Sequence, residues 1–395
     1  MSKFSNEVGA AIHVAPNATR ILRDWACDFA ALHPVQCKRF QVWDQQANII
    51  STPFLTEEIQ KKLDIHDDWL LTHRVDLHNA LRAAASREID GRKIDIRFAS
   101  RVTSVLLINL NFVPDQDAEA GEVTLCDGIK FNGDLVVGAD GIHSKSVYAV
   151  TGGEFRPKES TGQNCFRFLV PVSKIKANPI ATALLDKIGL DGVHAFVGQD
   201  RRIVLYPCRN GELLNVAGIH PSGTTPANDA SWLDSGNMEE LLATFSSFGP
   251  ELQELCRLAE DLKLWSLASR SPPSTFVKGK LALIGDAAHP TLPHQGQGGA
   301  QSFEDAAALA AVFPLETTPE QIPARLEMYN QVRYNHAVTV MMMSKTSDDR
   351  RAEMLDELRK YVPDAETPTD MVSYTWPSCP AREAQVLLGR AETCS

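Results

Sequence analysis

The residues best placed to do chemistry lie in one short run. Leu281, Ala282, Leu283 and Ile284 are followed by Gly285, Asp286, Ala287, Ala288, His289 and Pro290, then by Gly296, Gln297, Gly298 and Gly299 and an apolar helical stretch from Gln301 onward. Four consecutive apolar residues predict a short buried strand. Gly285 frees the backbone to turn, and Asp286 then stands at the strand's carboxyl end, where open α/β sheets bind ligands. A carboxylate there accepts hydrogen bonds from a ribityl or ribose hydroxyl. Gly298 and Gly299 let the backbone approach a flat ring closely, and the N–H groups that open the next helix present partial positive charge to it. Reduced flavin is an anion, so the run reads as a flavin site. Asp286 could simply cap its turn, but the aspartate, histidine, proline and glycine turn together favour the cofactor reading, with His289 as a structural hydrogen-bonder.

Three more segments must help to position that site. Gly138, Ala139, Asp140 and Gly141 follow the apolar strand Asp134 to Val137. His73, Arg74, Val75, Asp76 and Leu77 open a helix that carries Leu77, Leu81 and Ala84 on one face. Glu7, Val8, Gly9, Ala10, Ala11 and Ile12 precede Pro16, Asn17 and Ala18. In this order the four segments resemble the motifs of the FAD-dependent aromatic hydroxylases, the flavoprotein monooxygenases that include salicylate and para-hydroxybenzoate hydroxylase. Four motifs in register are far more specific than one. The resemblance implies cofactor-binding roles for Gly9, Ala11, Arg74, Asp140, Asp286, Gly298 and Gly299. From the residues alone, Arg74 could equally cap its helix or pair with Asp76.

The implied fold is α/β: a Rossmann-like FAD domain interleaved with an antiparallel-sheet substrate domain, closed by a helical C-terminal region. We expect the FAD domain over residues 1–159 and 271–360, the substrate domain over 160–270, and an extension over 361–395 that packs loosely. The segments from Cys165 to Val170, Val193 to Val197, Arg202 to Tyr206 and Leu213 to Ala217 have the period-two texture of antiparallel strands. Helices are expected near Glu239 to Phe245, Pro250 to Leu258 and Pro323 to Tyr361. In the family the turn at Glu7 to Ile12 comes after a strand, a GxGxxG phosphate loop, a helix and a second strand. This chain contains no GxGxxG, so the reading expects that first β-α-β unit to be missing, through a misplaced start codon or in a truncated paralogue.

Two residues stand out in the sheet region. Arg167 lies between Phe166 and Phe168, so its side chain points away from both, and Tyr206 ends a neighbouring strand. A guanidinium on a sheet face can hold a phenolate, and a phenol hydroxyl can orient a substrate oxygen. Their segments resemble those carrying the Arg and Tyr of fungal hydroxylases acting on polyketide phenols; the plain alternative is surface pairing and packing. Met341, Met342 and Met343, like Trp265 and Trp376, read as packing residues.

Composition narrows the remaining choices. A net charge of −11 speaks against nucleic-acid binding, which needs concentrated Lys and Arg. The eight cysteines form no CxxC pair and no metal-ligand spacing, which favours free thiols in a reducing compartment. No apolar run is long enough to span a membrane, and the N-terminal residues lack a signal-peptide core. The implied protein is a cytoplasmic enzyme of undetermined oligomeric state that uses FAD, NAD(P)H and dioxygen to hydroxylate a small aromatic molecule, without metal. The alternatives are an inactive homologue that only binds a ligand or partner, and an epoxidase of the same fold.

Overall fold

The computed structural model describes residues 10–109, 119–152, 159–223, 236–346 and 348–389. Gly9 falls outside these residues. By compactness the chain divides into two units, 2–96 with 160–268, and 97–159 with 269–395. The stretch 10–96, expected with the cofactor domain, therefore clusters with the sheet domain, because two of its strands belong to the large sheet.

That sheet has seven strands in the order Glu260–Ser269, Glu159–Pro171, Leu213–Pro221, Arg202–Cys208, Gly192–Val197, Arg39–Asp44 and Ile49–Leu55. The segments 159–171, 213–221, 202–208 and 192–197 run antiparallel to their neighbours in that series, as their alternating pattern predicts. Arg39–Asp44 then joins parallel to Gly192–Val197, so the sheet is mixed and larger than the pattern within 160–270 indicates. One face is largely apolar. Phe166, Phe168, Val170, Phe196, Ile203, Leu205, Leu214 and Val216 pack with Leu184, Leu241, Leu252 and Leu255 of the covering helices. Asn178 and Asn237 start two of those helices by accepting backbone N–H bonds in the first turn, a cap worth about 1 kcal/mol each. A smaller sheet of Ala11–Val14, Leu70–His73 and Val35–Gln36 belongs to the same unit.

In the other unit, Val136–Gly138 and Leu281–Leu283 pair in parallel, with Val277–Lys278 antiparallel on the far side of the latter. A separate antiparallel sheet is formed by Val102–Asn109, Glu119–Leu125 and Lys130–Gly133. Leu281, Ala282 and Leu283 are completely buried, as four consecutive apolar residues foretell, against Ala308 of helix Gly298–Val312 and Leu326, Tyr329 and Val338 of helix Ile322–Met343. A capping box between Thr318 and Gln321 starts the short turn Pro319–Gln321 that leads into the latter helix. Its methionines, Met341 to Met343, are core residues. The tail corrects the sequence reading. After Pro363 the chain forms helices Met371–Thr375 and Pro380–Leu387, and Met371, Trp376 and Ala384 are buried, because their apolar surface finds the flanks of the two long helices.

Candidate functional site: a strand–turn–helix cradle and an arginine-bearing sheet face

The cradle is built from the carboxyl ends of two adjacent parallel strands. Leu283 sits opposite Gly138, and the Ile284 N–H continues the ladder to the Gly138 carbonyl at 3.0 Å. Asp286 and Asp140 leave this sheet on the same edge, where α/β sheets bind their ligands. Gly285 turns the chain with φ +58°, and a Cβ there would stand 2.8 Å from the Ser302 hydroxyl. At Gly298 a Cβ would stand 2.8 Å from Thr291 Oγ1. Both positions are thus tight against a neighbouring hydroxyl, and at Gly285 the positive φ also disfavours a side chain. Helix Gly298–Val312 starts without a side-chain cap and without an acidic residue in its first turn, which leaves its leading N–H groups for a ligand.

Asp286 is exposed within the short helical turn Gly285–Ala287. Asp140 is also exposed, but its carboxylate is engaged: it accepts from Ser144 Oγ at 2.6 Å and from the Lys145 and Ser146 N–H groups at 2.6 and 3.0 Å. It therefore shapes the Gly141 to Ser144 turn and caps the helix that follows. Beside the turn that carries Asp286 lies Arg270, which the sequence does not single out. It is only 1% exposed, and its guanidinium donates to the Asp286 carbonyl at 3.0 Å and to the Ala287 carbonyl. Burial pulls its pKa down to about 10, against the support of the Asp286 and Asp140 carboxylates.

A fully buried polar network holds the turn from behind. Asp305 accepts the Gly285 N–H at 2.8 Å, His289 Nε2 at 2.6 Å and Arg333 Nε at 2.8 Å. Arg333 also donates to Glu304 at 2.6 Å and to the Gln301 side chain at 2.7 Å. His289 is thus a structural hydrogen-bonder. Burial disfavours the Asp305 charge, but His289 and Arg333 more than offset it and hold its pKa below the ordinary carboxylate value. The one sequence signal was an acidic pair, Glu304 and Asp305, inside an otherwise alanine-rich apolar helix. Nothing local names Arg333 as its partner.

In the sheet unit, Arg167 and Tyr206 share a face. Arg167 lies opposite Ala217, and Tyr206 opposite Asn215 two residues along the same intervening strand, so both side chains point away from the apolar core. Arg167 Cζ lies 5.5 Å from the centre of the Trp265 ring, and its guanidinium also donates to the Cys165 thiol. Burial raises that thiol's pKa, against the pull of Arg167 and Arg202, so the sulfur stays protonated and neutral. No carboxylate of the described residues pairs with Arg167. Tyr206 is buried and commits its proton: the hydroxyl donates to the Ala11 carbonyl at 2.8 Å. The neighbouring Asn215 accepts the Ala11 N–H at 3.0 Å. These two side chains imitate a β-ladder and fasten strand Ala11–Val14. Ala11 accordingly sits in a strand, not in the expected turn, with both backbone groups used. Toward a ligand, the Tyr206 oxygen keeps only its lone pairs.

Arg74 opens helix Arg74–Ala85 with an exposed side chain, and its N–H donates to the Ala10 carbonyl at 3.2 Å. Asp76 is gripped through both oxygens by Arg209, at 2.9 and 3.0 Å, and does not take Arg74.

Comparison with known proteins agrees with the cradle. The FAD binding domain family matches residues 38–344. The FAD-dependent monooxygenase cfoG of Aspergillus candidus is 32% identical, over 93% of this chain and 82% of its own length. Hispidin-3-hydroxylase of Neonothopanus nambi is 29% identical over 85% of this chain and 78% of its own. Among solved structures, a salicylate hydroxylase substrate complex shares the fold with a TM-score of 0.72 at 21% identity, covering 95% of this chain and 90% of the other. The two tight glycine positions and the uncapped helix start fit a bound dinucleotide cofactor, and with these matches the chain belongs to the FAD binding domain family, as an FAD-dependent monooxygenase.

Proposed function

We propose that this monooxygenase hydroxylates a small phenolic substrate that binds as its phenolate at Arg167. The observation that carries the reading is Arg167 itself: a half-buried guanidinium on the sheet face opposite the apolar core, next to a neutral thiol and with no carboxylate of the described residues to balance it. An anionic oxygen would complete it through two N–H donors at once. Ionising the phenol also makes its ring electron-rich, which is what oxygen transfer to carbon requires. Tyr206, with its proton committed to Ala11, would accept a hydrogen bond from a second substrate hydroxyl.

Asp286, Gly298, Gly299 and Asp140 would hold FAD at the cradle; the family resemblance adds Gly9, Ala11 and Arg74 as proposed FAD-binding residues. Asp286 offers a free carboxylate to cofactor hydroxyls, whereas Asp140 acts by fixing its turn. Ala11 would offer surface only, since its backbone bonds are taken. When bound, FAD supplies the redox chemistry, taking reducing equivalents from NAD(P)H and activating dioxygen. We place the enzyme in the cytoplasm: the described cysteines are all free thiols, and no helix among the described residues is long and apolar enough to cross a membrane. The relatives named as hydroxylases of hispidin and of salicylate support a hydroxylated aromatic substrate.

The test is Arg167→Lys, assayed with a panel of phenols for hydroxylated product and for retained flavin. A lysine keeps the charge but not the planar fork, so hydroxylation should collapse while flavin content stays unchanged. Turnover equal to the parent enzyme would reduce Arg167 to a packing residue.

A further inference from the structure

Arg167 is held differently from the arginines of this chain that rest on carboxylates. Arg333 rests on Glu304 and Asp305, Arg209 on Asp76, and Arg39 on Asp191, each within 2.6–3.0 Å of a carboxylate. Arg167 instead has its cation over the Trp265 ring at 5.5 Å and a protonated thiol at its edge. The difference has a chemical consequence. A carboxylate orients a guanidinium and cancels its charge, using the N–H fork to do so. An aromatic face attracts the cation through its quadrupole, within about 6 Å, and leaves both the charge and the in-plane N–H donors unspent. Trp265 belongs to strand Glu260–Ser269, which borders the Arg167 strand, so its position is set by the sheet and not by a loop.

We propose that Trp265 is the positioning residue of the substrate site: it holds the Arg167 guanidinium in place without neutralising it, and so makes the site selective for substrates that bind as phenolates. This rests on the reading of Arg167 given above. It assigns Trp265 a role beyond the packing its sequence context implies.

The probe is 4-nitrophenol, whose phenolate is coloured and whose bound pKa can be read by absorbance titration on the purified protein without turnover. Nitrobenzene serves as the neutral control. The parent protein should bind 4-nitrophenol with its pKa below the free value. Trp265→Leu should weaken phenolate binding roughly 3- to 20-fold, the range of such a contact, and return the bound pKa toward the free value while nitrobenzene binding is unchanged. Trp265→Phe keeps a ring face and should fall between the two; it carries the test if the leucine variant does not fold. An unchanged phenolate affinity and bound pKa in the Trp265 variants, with Arg167→Lys defective, would overturn the role of Trp265 and leave that of Arg167 intact. A parent protein that binds the probe only as the neutral phenol, or an Arg167→Lys protein indistinguishable from it, would overturn the Arg167 reading itself.

Discussion

Arg333 is fully buried and Arg167 half-buried, and the two units that contain them treat the charge in opposite ways. Arg333 is surrounded by acceptors: Glu304, Asp305, and the side chain and backbone carbonyl of Gln301 take its hydrogen bonds, and none of these residues reaches solvent. Arg167 meets a ring face and a neutral thiol. A network of that kind stabilises one conformation of the Gly285 turn and leaves the Arg333 cation neutralised. An unbalanced guanidinium contributes less to folding and is available to an anion. Charge balance distinguishes Arg333, which is spent on the fold, from Arg167, which we propose to bind substrate.

The comparison breaks if the two arginines respond alike to removal. Arg333→Met would remove the cation between the buried Glu304 and Asp305, leaving Asp305 only His289 and the Gly285 N–H, and should cost roughly 3–5 kcal/mol. Arg167→Met, which removes a charge that no carboxylate depends on, should change stability by less than about 1 kcal/mol while phenol hydroxylation disappears. Denaturant midpoints of the two variants decide the matter; equal losses would show that Arg167 is as much a part of the folded framework as Arg333.

A smaller effect sharpens the picture within the cradle. Asp286 is exposed and free where Asp140 and Asp305 are fully engaged, so Asp286→Ala should lower FAD affinity by the roughly 1.5–3 kcal/mol of a charged hydrogen bond and leave the unfolding midpoint of the flavin-free protein in place. Flavin stoichiometry after gel filtration measures it, and full loading would remove Asp286 from the cofactor site.

The smallest effect at neutral pH concerns histidines on both sides of the comparison. Burial lowers the pKa of His13 and of His336 to about 4, and of His194 to about 3. Each is depressed below its ordinary value of 6.5, so the unfolded chain takes up these protons before the folded one does. Stability should therefore be complete above about pH 6.5 and fall steadily as the pH drops toward 4. His194 accepts the Trp43 indole N–H at Nδ1, a bond that protonation of that nitrogen would abolish. A urea midpoint that does not move between neutral and mildly acidic buffer would mean that these histidines are not held neutral.

What the amino-acid order determines by itself is local. Leu281 to Leu283 form the buried strand, Gly285 the turn at its end, and Asn178 and Asn237 the helix starts that their types favour. The alternation around Arg167 correctly places its side chain opposite Phe166 and Phe168. Those signals arise from residues within a few positions of one another, where backbone geometry decides which side chains share a face. The tertiary structure alone decided the partners. Periodicity says that a face is apolar but not what covers it, which is why the strands from residues 39 to 55 joined the large sheet unannounced and the tail proved to be packed. Asp305 meets Arg333 across 28 residues, and Tyr206 reaches Ala11 across 195. Such bonds form only after chain closure has brought distant segments together, and a side chain's type records its capacity to bond but not the address of the group it will find.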